Sequence, residues 1–171
     1  MNKLTDKLKG SDLRSIGKAN EIALSIITQN DFDELFEGFY DSDRKVVMRT
    51  ADTIEKVTLH NADFLQKHKN ELIDLLNSSE NIELKWHLAL LLPRLNLKEN
   101  EIGMVWHTLT KWATDKKESK IVRVNSIQGL CNLLQQRPEL LQDFSLTLTE
   151  VEKDNIASIN ARIRKIRNAS R

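Results

Sequence analysis

Apolar residues recur along most of the chain at intervals of three and four positions, the spacing of one face of an α-helix. This pattern predicts nine helices separated by short polar segments, with Ser11 capping the first of them. No segment alternates apolar and polar residues with the period of two that is typical of a strand, so no sheet is predicted. The predicted helices are 12–29, 31–40, 44–59, 62–76, 82–96, 101–114, 120–136, 138–153 and 156–168.

The apolar positions of three of these helices repeat with a step of 38 residues. The sets that keep this step are Val46, Leu84 and Val122; Ile54, Leu92 and Leu130; and Val57, Leu95 and Leu133. The alternate helices repeat less strictly, with steps of 37 and 39, in the sets Leu65, Ile102 and Leu141, and Leu72, Leu109 and Leu148. A two-helix unit cannot bury its apolar face alone, so this period predicts units that stack on one another.

Small residues occupy two core positions in the last copy of this helix. Ser126 and Gly129 stand where the preceding copy has Leu88 and Leu91. They are expected to let two helices approach closely. Pro93 in helix 82–96 has no N–H to donate to the carbonyl of residue 89, so a bend is predicted there.

The segment IVRVNSIQGLCNLL, from Ile121 to Leu134, has the pattern of the second helix of a HEAT unit, with Val122-Arg123 in the place of a common Val-Arg pair. Over about residues 32–166 the chain resembles the HEAT/armadillo repeat superfamily. The resemblance implies that the second helices of the pairs line a concave face, where ligands commonly lie.

The resemblance also implies a ladder of acid–base pairs between units. Bases stand at Arg123 and Lys85, and acids stand five positions before each of them, at Glu118 and Glu80. The first copy departs from this pattern, which leaves the ladder open at the N-terminal end. Its residues at these positions are Ser42 and Val47.

The expected fold is therefore all-α: a right-handed α-solenoid of about four two-helix HEAT-like repeats in one domain, 1–171. The segment 1–30 is expected to be an N-terminal capping helix. The helix pairs that follow are 31–59, 62–96, 101–136 and 138–168.

Charge and composition remove several classes of protein. With 26 Lys and Arg against 25 Asp and Glu, the net charge is +1, so no overall field steers the chain toward nucleic acid or a membrane. The apolar run 88–92 is far shorter than the roughly 20 residues that a membrane span needs. A single cysteine cannot form an internal disulfide, and the polar N-terminus lacks the apolar run of a signal peptide. A cytoplasmic location is the default expectation.

No group of residues predicts catalysis, a metal site or a cofactor. The four histidines are scattered, and Cys131 has no base repeated beside it in the neighbouring copies. Trp106 and Trp112 could be platforms for stacking bases, but they lie on one apolar stripe, which favours core filling. We therefore expect a protein that is not an enzyme.

A partner surface is expected on the ridge opposite the buried side of the repeated helices, because helix 82–96 is apolar on both sides. Either the chain's own curvature covers this ridge, or it binds a peptide helix or a second copy in a homodimer. The leading expectation is a non-catalytic scaffold or adaptor for protein partners. The candidate partner-binding residues are Met48, Arg49, Trp86, Leu90, Arg94, Leu97, Val124, Gln128 and Asn132.

The C-terminal segment ARIRKIRNASR contains five cations and no acid. Its candidate phosphate contacts are Arg162, Arg164, Lys165 and Arg167, with Arg171 beyond them. The alternative is that isoleucines 156, 159, 163 and 166 face the stack and the cations form the polar outer side of a terminal unit. Phosphate contacts here would support the second functional expectation, a nucleic-acid-binding module. The acidic run 31–43 is interpreted as a solvated first unit.

Overall fold

The computed structural model describes residues 3–9 and 16–169, so the predicted cap Ser11 and the C-terminal Arg171 lie outside the described residues. The described residues contain α-helices and 3₁₀ segments and no strand, which confirms the all-α prediction. The α-helices are α1 (Lys3–Leu8), α2 (Ile16–Ser25), α3 (Gln29–Phe36), α4 (Arg44–Val57), α5 (Lys69–Ser78), α6 (Ile82–Leu91), α7 (Glu99–Thr114), α8 (Lys120–Leu133), α9 (Leu141–Glu152) and α10 (Ala157–Ala169).

Four predicted helices are shorter than expected because part of each is a 3₁₀ segment. The segments are Glu37–Tyr40, Ala62–His68, Leu92–Arg94 and Pro138–Leu140. At Pro93 the prediction of a bent helix was wrong, because α6 ends at Leu91 and the chain enters a 3₁₀ turn. Proline cannot continue the α-helical hydrogen bonds, and the turn closes by the N–H of Leu95 donating to the carbonyl of Leu92 at 3.1 Å.

The N-terminal segment also differs from the single capping helix predicted over 1–30. It contains α1 and α2, and α3 already begins at Gln29. The reason is a capping box: the Thr28 hydroxyl accepts from the N–H of Asp31 at 3.2 Å, and the Asp31 carboxylate accepts from the N–H of Thr28 at 2.9 Å. Residue 28 thus starts a new helix where the prediction continued the preceding one.

The chain divides into two compact units, Met1–Lys69 and Asn70–Arg171, and the expectation of one domain stays a prediction. In the first unit α4 packs against α1, α2 and α3. In the second unit α8 packs against α6, α7 and α10. All nine residues of the 38-residue sets are buried, as predicted, and Leu141 of the less regular sets is instead exposed at the start of α9.

A partly exposed polar contact joins α3 to the 3₁₀ segment 62–68 in the first unit. The Asp33 carboxylate accepts from Gln29 at 2.8 Å, contacts His68 Nε2 at 2.7 Å and pairs with Lys67. Burial alone would raise the pKa of Asp33, but these hydrogen bonds and the Lys67 charge lower it to about 2. The His68 ring also stacks on Phe36, with 3.9 Å between ring centroids. This contact holds the 3₁₀ segment Ala62–His68, which begins the predicted helix pair 62–96, against α3.

Candidate interaction site

Charged side chains join successive helix pairs within the second unit. The Lys85 ammonium of α6 pairs with Glu118 just before α8, and it lies 5.4 Å from the centroid of the Trp112 ring. In α8, Arg123 pairs with Asp154 just before α10 and donates from Nε to the carbonyl of Ala113 at 2.9 Å. The acid–base ladder implied by the resemblance is therefore present at Glu118, and a second rung, at Asp154, was not predicted.

The two rungs differ in burial. Arg123 is 1% exposed, and its partner Asp154 also accepts from the exposed Lys116 at 2.8 Å. These hydrogen bonds, from Lys116 first and Arg123 second, hold the pKa of Asp154 below its ordinary value. Because the rungs tie the starts of α8 and α10 into the unit, they fix the two helices that line the candidate site described below.

Gly129 allows α6 and α8 to pack with their backbones in close approach, as predicted for this position. A Cβ atom added at Gly129 would lie 2.2 Å from the carbonyl oxygen of Ala89 and 3.0 Å from a methyl group of Leu109. In a continuous α-helix the Ala89 carbonyl would accept a hydrogen bond from the N–H of residue 93, but proline has no N–H to donate. The glycine and the proline therefore belong to the same helix contact.

The residues of the predicted partner surface lie in different environments. Trp86, Leu90 and Arg94, on α6 and the turn that follows it, are partly exposed, and so is Val124 on α8. Leu97 is buried, 7% exposed, in the segment that leads into α7. A partner cannot reach Leu97 in this structure, because its side chain belongs to the core.

The two predicted residues of the first unit also differ. Met48 is partly exposed on α4, whereas Arg49 is buried and donates a hydrogen bond from Nη1 to the carbonyl of Leu8. Arg49 therefore serves as a tie between α4 and the end of α1. It is not an edge of an exposed surface in this structure.

A solvent-open groove of about 680 Å³ lies between α8 and α10. Each side contributes residues at positions i, i+3, i+4 and i+7, the spacing of one helix ridge. Two separately predicted sets meet here: Gln128 and Asn132 come from the partner surface, and Arg162 and Lys165 come from the phosphate contacts. The lining residues are Gln128, Cys131, Asn132, Leu134, Gln135, Arg162, Lys165, Ile166 and Ala169.

A chain of hydrogen bonds crosses this groove. Arg162 Nη1 donates to Gln128 Oε1 at 2.8 Å, and Gln128 Nε2 donates to Asn132 Oδ1 at 2.8 Å. The contacts hold the guanidinium at the groove wall and use one of its five N–H donors. The only charged lining residues are two cations, and burial raises the pKa of the Cys131 thiol, so this neutral group adds no negative charge at neutral pH.

The remaining two predicted phosphate contacts lie elsewhere on α10. Arg167 makes a bidentate ion pair with Glu152 of α9, with N–O distances of 2.8 and 2.9 Å, beside a second pocket of about 390 Å³. Arg164 is exposed and does not line the groove. Ile159, Ile163 and Ile166 are buried, as expected for a helix that turns its apolar side to the unit.

Sequence reasoning found four groove residues but did not place them together. The signal it missed is the ridge spacing of Arg162, Lys165, Ile166 and Ala169, which matches the spacing of residues 128, 131, 132 and 135. Residues 128 and 162 are 34 positions apart, outside the 38-residue period. The contact between these two residues could therefore not be predicted from the repeat and was found only in the structure.

The other candidate chemistry takes a structural place. Trp106 and Trp112 are 7% and 6% exposed, and the Trp106 indole donates to Asp143 at 2.7 Å, so both fill the core as predicted. Within residues 3–9 and 16–169, no group of three or more histidine, cysteine or acidic side chains is arranged to hold a metal ion. In the same part of the chain, no helix has the length and apolar character needed to cross a membrane.

Searches of curated proteins and of solved structures returned no match to this chain. The family model described as HEAT repeat domain matches residues 1–170, nearly the whole sequence. The match agrees with the period of the buried positions and with the ladder between helix pairs. The chain belongs to the HEAT repeat domain family.

Proposed function

We propose that this protein is a non-catalytic scaffold or adaptor that binds a protein partner. HEAT repeats commonly mediate protein interactions, and the family is generally non-catalytic. The observation that carries the proposal is that the apolar side chains of Trp86 and Leu90 on α6 and of Val124 on α8 are partly exposed. The amides and cations that line the groove between α8 and α10 are likewise at least partly exposed.

The proposed scaffold is a right-handed solenoid of about four two-helix units in a single domain, located in the cytoplasm. In such a fold the second helices of the pairs lie side by side on the concave face. The 38-residue period and the Lys85–Glu118 and Arg123–Asp154 rungs support this arrangement for the pairs of the second unit.

The proposed partner surface uses the partly exposed members of the predicted set. Trp86 and Leu90 supply apolar area, and aromatic residues are frequent among the side chains that dominate binding energy. In the second unit the set comprises Trp86, Leu90, Arg94, Val124, Gln128 and Asn132, and Met48 is the proposed contact residue of the first unit. A homodimer through the apolar members is the alternative occupant.

A second candidate function is binding of nucleic acid. The observation that favours it is the pair of cations in the groove, Arg162 and Lys165, beside the exposed Arg164. Two facts oppose it: the net charge is only +1, and Glu152 neutralises Arg167. Retention on DNA that falls steeply with salt would support this candidate.

An affinity capture followed by mass spectrometry tests the leading proposal. The full chain is compared with Trp86→Ala and with Ile121→Ala, a control on an exposed apolar residue of α8. We expect Trp86→Ala to lose protein partners that the wild type and the control both retain. Circular dichroism checks that the variants fold, and size-exclusion chromatography with light scattering reports any homodimer.

Two results would contradict the proposal. One is capture of nucleic acid alone. The other is an identical set of partners and an identical mass for all three proteins, which would make Trp86 a structural residue.

A further inference from the structure

We propose that the groove between α8 and α10 binds a short acidic segment of the partner protein in extended conformation, with Arg162 and Lys165 pairing with its carboxylates. This inference rests on the proposed scaffold function and names the chemistry of the partner. The size of the groove, the donors along its walls and the sign of its charge all favour such a ligand.

The length of the groove fits a few residues of extended chain. The α10 wall runs from Arg162 to Ala169, seven steps of about 1.5 Å along the helix axis, or about 10 Å. An extended peptide rises about 3.3 Å per residue, so about three residues fill this length. The volume of about 680 Å³ is that of a site for a compact ligand, not of a surface for a folded domain.

The walls offer hydrogen-bonding groups suited to a peptide main chain. Gln128 and Asn132 each carry a carbonyl and an NH₂ group, the donors and acceptors that peptide groups also carry. The contacts from Arg162 to Gln128 and from Gln128 to Asn132 fix their orientation. The NH₂ group of Asn132 is left to donate to a ligand carbonyl, and the apolar atoms of Leu134 and Ile166 lie between the polar positions.

The charge of the groove selects an acidic ligand. Arg162 and Lys165 are its only charged lining residues, and in the described structure no carboxylate is paired with Lys165. Arg162 keeps four N–H donors beyond the one that Gln128 accepts, and a guanidinium pairs with a carboxylate through two parallel hydrogen bonds. A ligand with two acids in three residues would neutralise both cations.

The same features disfavour nucleic acid as the occupant. Proteins that bind single strands without sequence preference place aromatic side chains where bases stack. None of the nine lining residues is aromatic, and the two cations would contact only about two phosphates. An acidic peptide satisfies both the amides and the cations, whereas a nucleic acid satisfies the cations alone.

A random hexapeptide display library panned against the full chain tests this inference without knowledge of the partner. We expect enrichment of peptides with two or more Asp or Glu within three consecutive positions. The enriched peptides are then measured by fluorescence anisotropy at about 0.05 and about 0.2 M salt, because exposed ion pairs weaken with screening. A version of each peptide with Asn and Gln in place of the acids is the ligand control, together with a short oligothymidylate.

Three substitutions on one helix separate the groove from general attraction. Arg162→Gln is expected to weaken acidic-peptide binding about ten-fold and Lys165→Gln about three-fold. Arg167→Gln is the matched control, because its charge is on the same helix but paired with Glu152 outside the groove, and it should change binding less than two-fold. Thermal unfolding checks that each variant is folded.

The single cysteine gives an independent readout of occupancy. Cys131 lines the groove and is half-buried, so saturating acidic peptide should slow its alkylation by N-ethylmaleimide at least five-fold. The amide version of the peptide should leave the rate unchanged. The measurement works best near pH 8 to 9, because burial raises the thiol pKa and reduces the reactive thiolate at neutral pH.

The inference is overturned by any of four results: panning without acid enrichment, Arg167→Gln weakening binding as much as Arg162→Gln, alkylation that the peptide does not slow, or tighter binding of the oligothymidylate than of the peptide. Failure here is distinct from failure of the scaffold function. If captured protein partners depend on Trp86 and are indifferent to Arg162 and Lys165, the scaffold proposal stands and the acidic-peptide site does not exist.

Discussion

Helices α6 and α8 occupy equivalent places in the 38-residue period, yet they present different surfaces. Both bury the same side, with Leu84 and Leu88 in α6 at the positions of Val122 and Ser126 in α8. On the opposite side, Trp86 and Leu90 of α6 correspond to Val124 and Gln128 of α8. The shared period therefore sets which side of the helix packs, while the other side can change from apolar to polar without disturbing the fold.

The two helices also end differently, and the difference has a consequence for the site. Pro93 ends α6 at Leu91, whereas α8 has Cys131 at the equivalent position and remains helical to Leu133. Only α8 can therefore present Gln128, Cys131 and Asn132 as one helical ridge against α10. A groove with polar walls forms beside the helix that lacks the proline.

The largest expected effect is at the ladder residue of α8. Arg123→Met removes one of the two cations that pair with Asp154, a partly buried contact, and it removes the buried donor to the carbonyl of Ala113. We expect the free energy of unfolding to fall by about 3 kcal/mol, as is typical when one partner of a buried ion pair is removed. Urea unfolding followed by circular dichroism measures the change.

A control on the same carboxylate isolates burial as the cause. Lys116 also pairs with Asp154 but is 75% exposed at its side chain, so Lys116→Met should destabilise the protein much less than Arg123→Met. Equal losses in the free energy of unfolding for Arg123→Met and Lys116→Met would show that the burial of Arg123 does not make its pair with Asp154 stronger than the exposed pair.

The same pair predicts a dependence on pH. Lys116 and Arg123 lower the pKa of Asp154 in the folded state. The ion pairs of Asp154 therefore stabilise the folded protein above the ordinary aspartate pKa of 3.8, and this stabilisation is lost as the pH falls below that value. The unfolding midpoint of the wild type should therefore drop more steeply between about pH 5 and pH 2.5 than that of Arg123→Met. Parallel curves would contradict the assignment.

The next largest effect is at the contact between α6 and α8 themselves. In Gly129→Ala the new Cβ atom meets the backbone oxygen of Ala89 at 2.2 Å, and a backbone atom cannot rotate away. We expect a loss of about 2 to 3 kcal/mol, since the helices must separate or tilt. Gly38→Ala should also be destabilising, because the new Cβ atom would lie 2.2 Å from the Oγ1 atom and 3.2 Å from the Cβ and Cγ2 atoms of Thr50, a buried, β-branched side chain with little freedom to turn.

The rung on α6 should contribute less than the rung on α8. Lys85→Met keeps most of the apolar stem but removes the ammonium group, and with it the ion pair with Glu118, whose side chain is 14% exposed, and the contact with the Trp112 ring. We expect a loss of about 1.5 kcal/mol, the size of one hydrogen bond to a charged group. A double-mutant cycle with Glu118→Gln measures the pair itself, and a coupling near zero would mean that Lys85 acts only by packing.

Much of this comparison could be predicted from the sequence, because it depends on local periodicity. The period identified the buried residues Leu84 and Val122, and the resemblance to HEAT repeats implied the acid Glu118 of the ladder. The exposure of a given residue was harder to predict: Leu97 and Arg49 were placed on a surface, but Leu97 lies beyond the end of α6, where helical spacing no longer applies, and Arg49 has a partner in a distant segment, the carbonyl of Leu8.

The groove could not be predicted from the period for a related reason. It depends on Arg162 meeting Gln128, a contact between helices 34 residues apart that belongs to no repeating set. By contrast, the start of α3 carried a readable signal, because Thr28 and Asp31 have the three-residue spacing of a capping box. This capping box indicates that a new helix starts after Thr28, so the predicted helix 12–29 should end before that residue.

The smallest expected effect is a gain in stability, in Gly103→Ala, and it is needed to interpret the loss of stability in Gly129→Ala. Gly103 lies within α7, exposed, and a Cβ atom added there would meet nothing within 4 Å. Gly103→Ala should therefore stabilise the protein by about 0.5 to 1 kcal/mol, because alanine loses less backbone entropy in a helix than glycine. The gain would appear as a rise of a few degrees in the unfolding midpoint by differential scanning calorimetry. Gly129→Ala in α8 should bring the same gain in helix stability. The measured loss of stability in Gly129→Ala is therefore smaller than the cost of separating α6 from α8, and the difference is about the gain seen in Gly103→Ala. If Gly103→Ala were instead destabilising, glycine would have a role in these helices that is independent of close approach, and the assignment of Gly129 to the α6–α8 contact would fail.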